Sequence, residues 1–360
     1  MPDSSDSANS RGFAIAAIDA DTMDGLGAFP RPLTASLLKW HADQRLLASL
    51  SYLCEVAERA FGESFVTQTR MLERAASSEP RAERRLRGAM YVLHTEMRHA
   101  IKANDPVRVQ ELLGQLPTVQ ATSGDVVVRG IPPASDPSDR EMQLFRSTMG
   151  REHERAYGLP FDAAAPPAEV LPLFARTAWE VLEILERLDP DCAAEIRSVV
   201  SDVVIVKSQN VNAGSSFRAF GYIVLRELEP DRAWTTYLES IVHEAAHLYL
   251  YLLWTHDPII ENEGEGLFRS PVRPGGRPLS AIFHAMFVLA RTIRTIRIVR
   301  EDSVYREDIS RMSTSYNYAK NPDGFEVKFF EAYETIKDNA QLTPLGEELL
   351  RGCRAMVEGT

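Results

Sequence analysis

A chain of 360 residues with 44% hydrophobic and 25% charged residues has ordinary globular composition and can bury a substantial core in one domain or two. Its 40 lysines and arginines are outweighed by 51 acidic residues, a formal charge of −11, which excludes the basic footprint of a general nucleic-acid binder. Three scattered cysteines (Cys54, Cys192, Cys353), no signal-like start and no apolar run approaching the roughly 18 residues of a membrane span point to a soluble, cytoplasmic protein with no membrane partner.

Residues 1–12 are rich in Ser and Asp and read as disordered. From Pro32 to about Ala60, apolar residues such as Leu33, Leu37, Leu46, Leu50 and Ala57 recur at helical spacing, and Gly62 suits the end of that helix. A second helix is expected over roughly 80–103, its arginine-rich start forming a solvated face. His94 and His99, five apart, do not share a helical face and read as structural or surface residues. After a short helix over 106–115, the stretch 117–138 holds a possible strand, Asp125 to Arg129, and the turn-forming Pro132-Pro133; a loop this long suits a lid or a linker. Helices follow at 138–156, 169–188 and 191–200. Then the texture changes: Val203–Val206 and Phe220–Leu225 are β-type runs flanking a polar loop, 208–218.

The strands lead straight into the most informative stretch, residues 238–256, which Asp231 is placed to cap. His243 and His247 are four apart and share one face of a helix, with Glu244 beside the first. In this HExxH pattern two imidazoles bind one metal, and the glutamate moves protons or orients the reacting water. Leu238, Ile241, Val242, Ala245, Ala246, Leu248 and Leu250 make the helix apolar nearly all round, so it is expected to be buried, where polar side chains require partners. A strand beside such a helix often pairs its edge with an extended peptide substrate.

A catalytic site needs a third ligand. Glu261, Glu263 and Glu265 lie 14 to 18 residues after His247 and suit a glutamate-ligated zinc peptidase, or else simply form an acidic loop. His256 has nearly the spacing of extended motifs but lacks the turning glycine, because Leu248 to Trp254 continues the helix. His284 sits in the second turn of a helix opened by Pro278, along which Arg291, Arg294, Arg297 and Arg300 form a stripe read as a solvated face. The remaining residues, 301–360, read as helices broken near Asn321-Pro322 and Thr343-Pro344. The expected fold is mainly α (α+β): a helical region over 13–200, a small β-sheet beside the HExxH helix in a core over 201–300, and C-terminal helices over 301–360, packed as one domain.

His243-Glu-Ala-Ala-His247, Asp257-Pro258, Ser270-Pro-Val-Arg273, Arg277-Pro-Leu279 and Phe283-His-Ala-Met-Phe287 occur in that order. Their spacing resembles the HEXXH motif-containing peptide-modification proteins, associated with ribosomally made, modified peptides. The resemblance is clear over about 200–300 and extends to the Pro30-to-Ala60 helix; the first 30 residues and the tail from 300 match no motif. Ala285 follows the late histidine where the family pattern has glycine. The resemblance implies an iron(II) and 2-oxoglutarate-dependent hydroxylase acting on the β-carbon of a precursor peptide, with His243, His247 and His284 as metal ligands. Arg273 and Arg277 are then candidates for the distal carboxylate of 2-oxoglutarate, since arginine gives bidentate recognition; pairing with the acidic 261–265 loop is their structural alternative. Ser270 and Tyr222 are candidates to touch the peptide. The alternative reading is a zinc (Zn2+) metallopeptidase with Glu244 as general base, and a third is a non-enzymatic peptide-binding protein.

Overall fold

A computed structural model describes residues 27–62, 64–76, 84–116, 122–123, 125–136, 138–228, 233–273, 275–312 and 324–359. The N-terminal stretch read as disordered, Asp231 as a helix cap and the break at Asn321-Pro322 lie outside them.

The first helix among the described residues is a long one, α1 (Pro32–Phe61), which Pro32 opens and Gly62 closes in the left-handed conformation, its N–H bonded to the Glu58 carbonyl. Next come α2 (Val66–Ala76), the two-residue strand β1 (Arg84–Arg85), α3 (Gly88–Lys102) and α4 (Pro106–Leu113). The helix expected from about 80 thus starts at Gly88, because Arg84 and Arg85 pair with β2 (Thr122–Ser123). Its basic start is only partly solvated: Arg85 is buried and Arg87 reaches Asp202 at 2.5 Å. His94 shares a 2.8 Å hydrogen bond with Ser49.

Strand β3 (Val127–Gly130) precedes α5 (Arg140–Tyr157), α6 (Leu171–Leu188) and α7 (Pro190–Val199). Then come β4 (Asp202–Val206), β5 (Ala213–Gly214) and β6 (Tyr222–Arg226). The sheet order is β3-β4-β6-β5; the first three strands run parallel and β5 is an antiparallel edge, with Ala213 opposite Leu225 and Gly214 opposite Val224. Strand β4 is buried along its whole length, as expected of a β-branched run covered on both faces.

Helix α8 (Ala233–Trp254) carries the HExxH residues and packs on α9 (Leu279–Glu301), α6, α1 and α7, with β5 and β6 beside it. The hairpin β7 (Phe268–Arg269) and β8 (Gly276–Arg277) lies between the two helices in sequence, and α10 (Arg306–Arg311), α11 (Phe325–Asn339) and α12 (Pro344–Glu358) complete the chain. Twelve helices among the described residues make the fold mainly helical, with a small mixed sheet, and buried apolar side chains form one cluster from Ala28 to Val357. Helix α9 has the length and apolar composition to cross a membrane, but 78% of its apolar window is buried inside the protein.

Two local features bear on the site. The arginine stripe on α9 is solvated only at its Arg300 end. Arg291 is 3% exposed, ion-paired with Glu195, and stacked over the Tyr249 and Phe287 rings at 4.6 and 4.9 Å. Arg294 pairs with Asp189 at 2.5 Å, and Arg297 reaches the Val357 carbonyl and Glu326. The second feature follows α8: Ile259, buried and β-branched, has φ 61°, a conformation that such residues rarely adopt. Its carbonyl accepts the Thr343 N–H at 3.1 Å and lies against Gly346 of α12, where any Cβ would collide with it.

Candidate functional site

Helix α8 presents Glu239, His243, His247 and Tyr251 along one stripe, each four residues from the last. The apolar residues around the stripe are buried, so the polar side chains are held inside the protein as the sequence implied. His284 of α9 meets this stripe. Its Nδ1 lies 3.0 Å from Nδ1 of His247, and the two rings are 5.2 Å apart. His284 is also stacked on Trp254, at 4.7 Å and 7° between planes, which fixes its orientation. His243 stands edge-on to His247, with ring centroids 4.9 Å apart.

Burial pushes all three imidazoles below their usual pKa: His247 down to about 3, His243 and His284 well below the ordinary value. Neighbouring positive or potentially positive groups add to the effect, including Arg273 at His243 and His247. The rings are therefore neutral at neutral pH, the state in which imidazole donates a lone pair to a metal. The Nδ1 atoms of His247 and His284 share a 3.0 Å hydrogen bond, a separation that also falls within the roughly 2.8–3.4 Å between adjacent ligands of a divalent ion with bonds of about 2.0–2.1 Å. Among the described residues no group of three or more His, Cys, Asp or Glu side chains is arranged to hold a metal ion. The donor chemistry fits a first-row divalent metal; the geometry is a close histidine pair with a third ring adjoining.

Glu244 is buried, and its carboxylate accepts a 2.6 Å hydrogen bond from the Ser215 hydroxyl. Burial raises its pKa to about 7, against the pull of Ser215 and Arg273. Glu239, one turn before His243, is also raised to about 7, by burial and then by the charge of Glu244; its carboxylate lies 3.7 Å from His243 Nδ1. Two carboxyls that change protonation near neutrality thus flank the histidines.

The other candidates separate clearly. Arg273 acts electrostatically on His243, Glu244 and His247, while its guanidinium stacks over Tyr157 at 4.4 Å and donates to that hydroxyl at 2.5 Å. Ser270 accepts the backbone N–H groups of Val272 and Arg273, so it shapes the loop that carries the arginine. Arg277 sits in β8 opposite Phe268, with a buried Nε that makes no hydrogen bond among the described residues. Tyr222 is fully buried in β6. Its hydroxyl donates to Glu141 at 2.7 Å and its ring presses on Phe145 and Gly88, which leaves no surface to offer a substrate.

The acidic loop does not approach the histidines as a ligand set. Glu263 caps α9, accepting from Ser280 N at 2.8 Å and from its hydroxyl, and Glu265 accepts from Asn262 at 3.0 Å. His256 lies instead beside α1, 3.5 Å from the Arg45 guanidinium and 6.1 Å from the His41 ring. Neither Ser215 nor Tyr251 is evident from the HExxH pattern. Tyr251 is signalled by its position four residues after His247; Ser215 is recognisable only once β5 delivers it to Glu244. No protein-family model and no curated protein matches the chain.

Proposed function

We propose that this chain is a metal-dependent enzyme that modifies a ribosomally made precursor peptide, hydroxylating a side-chain β-carbon with iron(II) and 2-oxoglutarate. One observation carries the reading. His284, 37 residues from His247 in sequence, lies on a separate helix yet approaches it to 3.0 Å, while of the acidic-loop glutamates Glu263 caps α9 and Glu265 accepts from Asn262.

His243, His247 and His284 would hold the metal, whose role is to bring O2 and the 2-oxo acid into reaction. In the overall change, one oxygen atom of O2 enters the C–H bond and the other enters succinate as CO2 is lost. The C–H bond and the 2-oxo acid supply the electrons. The chain's own residues do the rest. Trp254 stacks on His284 and holds its ring in place. Arg273 supplies a cation beside the histidines for the distal carboxylate of 2-oxoglutarate. Glu244, fixed by Ser215, holds or releases a proton near neutrality. The open side of β5, next to Ser215, offers backbone groups to an extended peptide.

The same Glu244 favours one competing reading, a zinc peptidase in which this carboxylate takes the proton of the attacking water. An anaerobic titration separates the two. Protein loaded with iron(II) and given 2-oxoglutarate should develop the weak visible charge-transfer band of a bidentate chelate, lost in His284→Ala and weakened in Arg273→Ala. Absence of the band, together with zinc retention and cleavage of a peptide library, would assign the site to hydrolysis.

A further inference from the structure

Phe217 is a large apolar side chain left 49% exposed on the short turn after β5. A single exposed aromatic is common on protein surfaces. Its surroundings set this one apart. Its ring lies 5.7 Å from Tyr251, and Tyr251 lies 5.0 Å from His284 and stacks with His247 at 6.4 Å. An aromatic wall therefore runs from solvent to the histidine pair. Three residues before Phe217, β5 ends at Gly214, and the intervening Ser215 holds Glu244.

We infer that Phe217 and Tyr251 form the side-chain subsite of this centre, selecting a peptide with an aromatic or large aliphatic residue beside the position that reacts. The inference rests on the peptide-modifying reading above and adds to it what the peptide must carry. A strand added to the open edge of β5 projects alternate side chains to opposite faces. Strand β5 packs beside α8, so the side chains on that face would meet the wall. Arg218, next to Phe217 in sequence, is already ion-paired with Glu152 at 3.1 Å. With that charge engaged, the exposed ring of Phe217 is what this part of the rim offers, and it is complementary to another apolar or aromatic group.

The test is binding, measured on the full chain by fluorescence anisotropy with labelled short Gly/Ser peptides that carry one central Phe, Leu, Ala or Lys. The Phe and Leu peptides should bind on the order of tenfold tighter than the Ala and Lys peptides. The difference should collapse in Phe217→Ala, survive for the Leu peptide in Phe217→Leu, and shrink little in Tyr251→Phe, which keeps the ring. Circular dichroism melts of each variant exclude unfolding as the cause. Equal binding of all four peptides by the wild type, or a preference unchanged in Phe217→Ala, overturns the subsite and leaves the peptide reading standing. Failure of every peptide to bind removes the peptide reading itself, and the subsite with it.

Discussion

Helix α9, which carries His284, is anchored by an ion pair with almost no access to solvent: Arg291 and Glu195 side chains are 3% and 4% exposed. Burial acts to lower the guanidinium's pKa, and Glu195 more than restores it. The guanidinium also donates to the Ala28 carbonyl at 2.8 Å and the Phe29 carbonyl at 3.2 Å, while Glu195 accepts the Arg31 N–H at 3.0 Å. Glu195→Ala leaves the cation buried with no counter-charge, only backbone carbonyls and the Tyr249 and Phe287 rings, and breaking a buried pair in this way typically costs about 3–5 kcal/mol. Over 360 residues, an unfolding entropy of about 2.1 cal/mol/K per residue gives about 0.76 kcal/mol/K. The melting temperature should therefore fall by about 4–7 °C. The double variant Glu195→Leu with Arg291→Met replaces both charges by apolar groups and should recover most of that loss. Thermal melts followed by circular dichroism at neutral pH measure both. A fall of less than about 1 °C in the single variant, or a double variant no more stable than the single, would refute the assignment of this pair as a buried, mutually dependent unit.

Three further outcomes follow from the site. Glu239 has its folded-state pKa raised from 4.5 to about 7, so its charge opposes folding increasingly as pH rises through that window. Glu239→Gln should thus melt higher than wild type at pH 8, by about 3 kcal/mol at most, with the advantage gone by pH 4; a gain that grows on acidification would contradict the sign. Glu263→Ala removes the side-chain cap on the first turn of α9 and should cost about 1 kcal/mol, detectable as a small shift in a denaturant midpoint with metal affinity kept. His284→Ala should weaken iron(II) or zinc binding by about 100-fold or more, measured by competition with a chromophoric chelator; an unchanged affinity would remove His284 from the ligand set.

What could be read from the sequence was what depends on local spacing. His243 and His247 share a face because four residues are about one helical turn, and the β-type runs Val203–Val206 and Phe220–Leu225 announce the strands at 202–206 and 222–226. The site's third histidine is different. Periodicity places His284 on a helix but cannot say which helix it packs against, so only the motif order of a resembling family pointed to it. The arginine stripe shows the same limit: the partners of Arg291 and Arg294 lie 96 and 105 residues away, and nothing local distinguishes a buried ion pair from a solvated face. Tyr222, a candidate for substrate contact, lies in the strand run that leads to the HExxH helix. Central placement of β6 buries its first four residues and sends that hydroxyl to Glu141. Ser215 depends on the pairing of β5 with β6, a contact that a polar loop sequence does not reveal.

The left-handed Ile259 sits in the connection between the two histidine helices, five residues beyond the end of α8. A β-branched residue there costs about 1–3 kcal/mol of backbone strain, and the conformation persists only because its surroundings hold it. The surroundings that do so come from the far end of the chain, through the Thr343 N–H and the bare face of Gly346. The C-terminal helix, which carries no recognisable motif, therefore acts as a clasp on the linker that sets how α8 and α9 meet. Truncation at the C-terminus, or a side chain at position 346, would be felt first in the relative placement of His247 and His284.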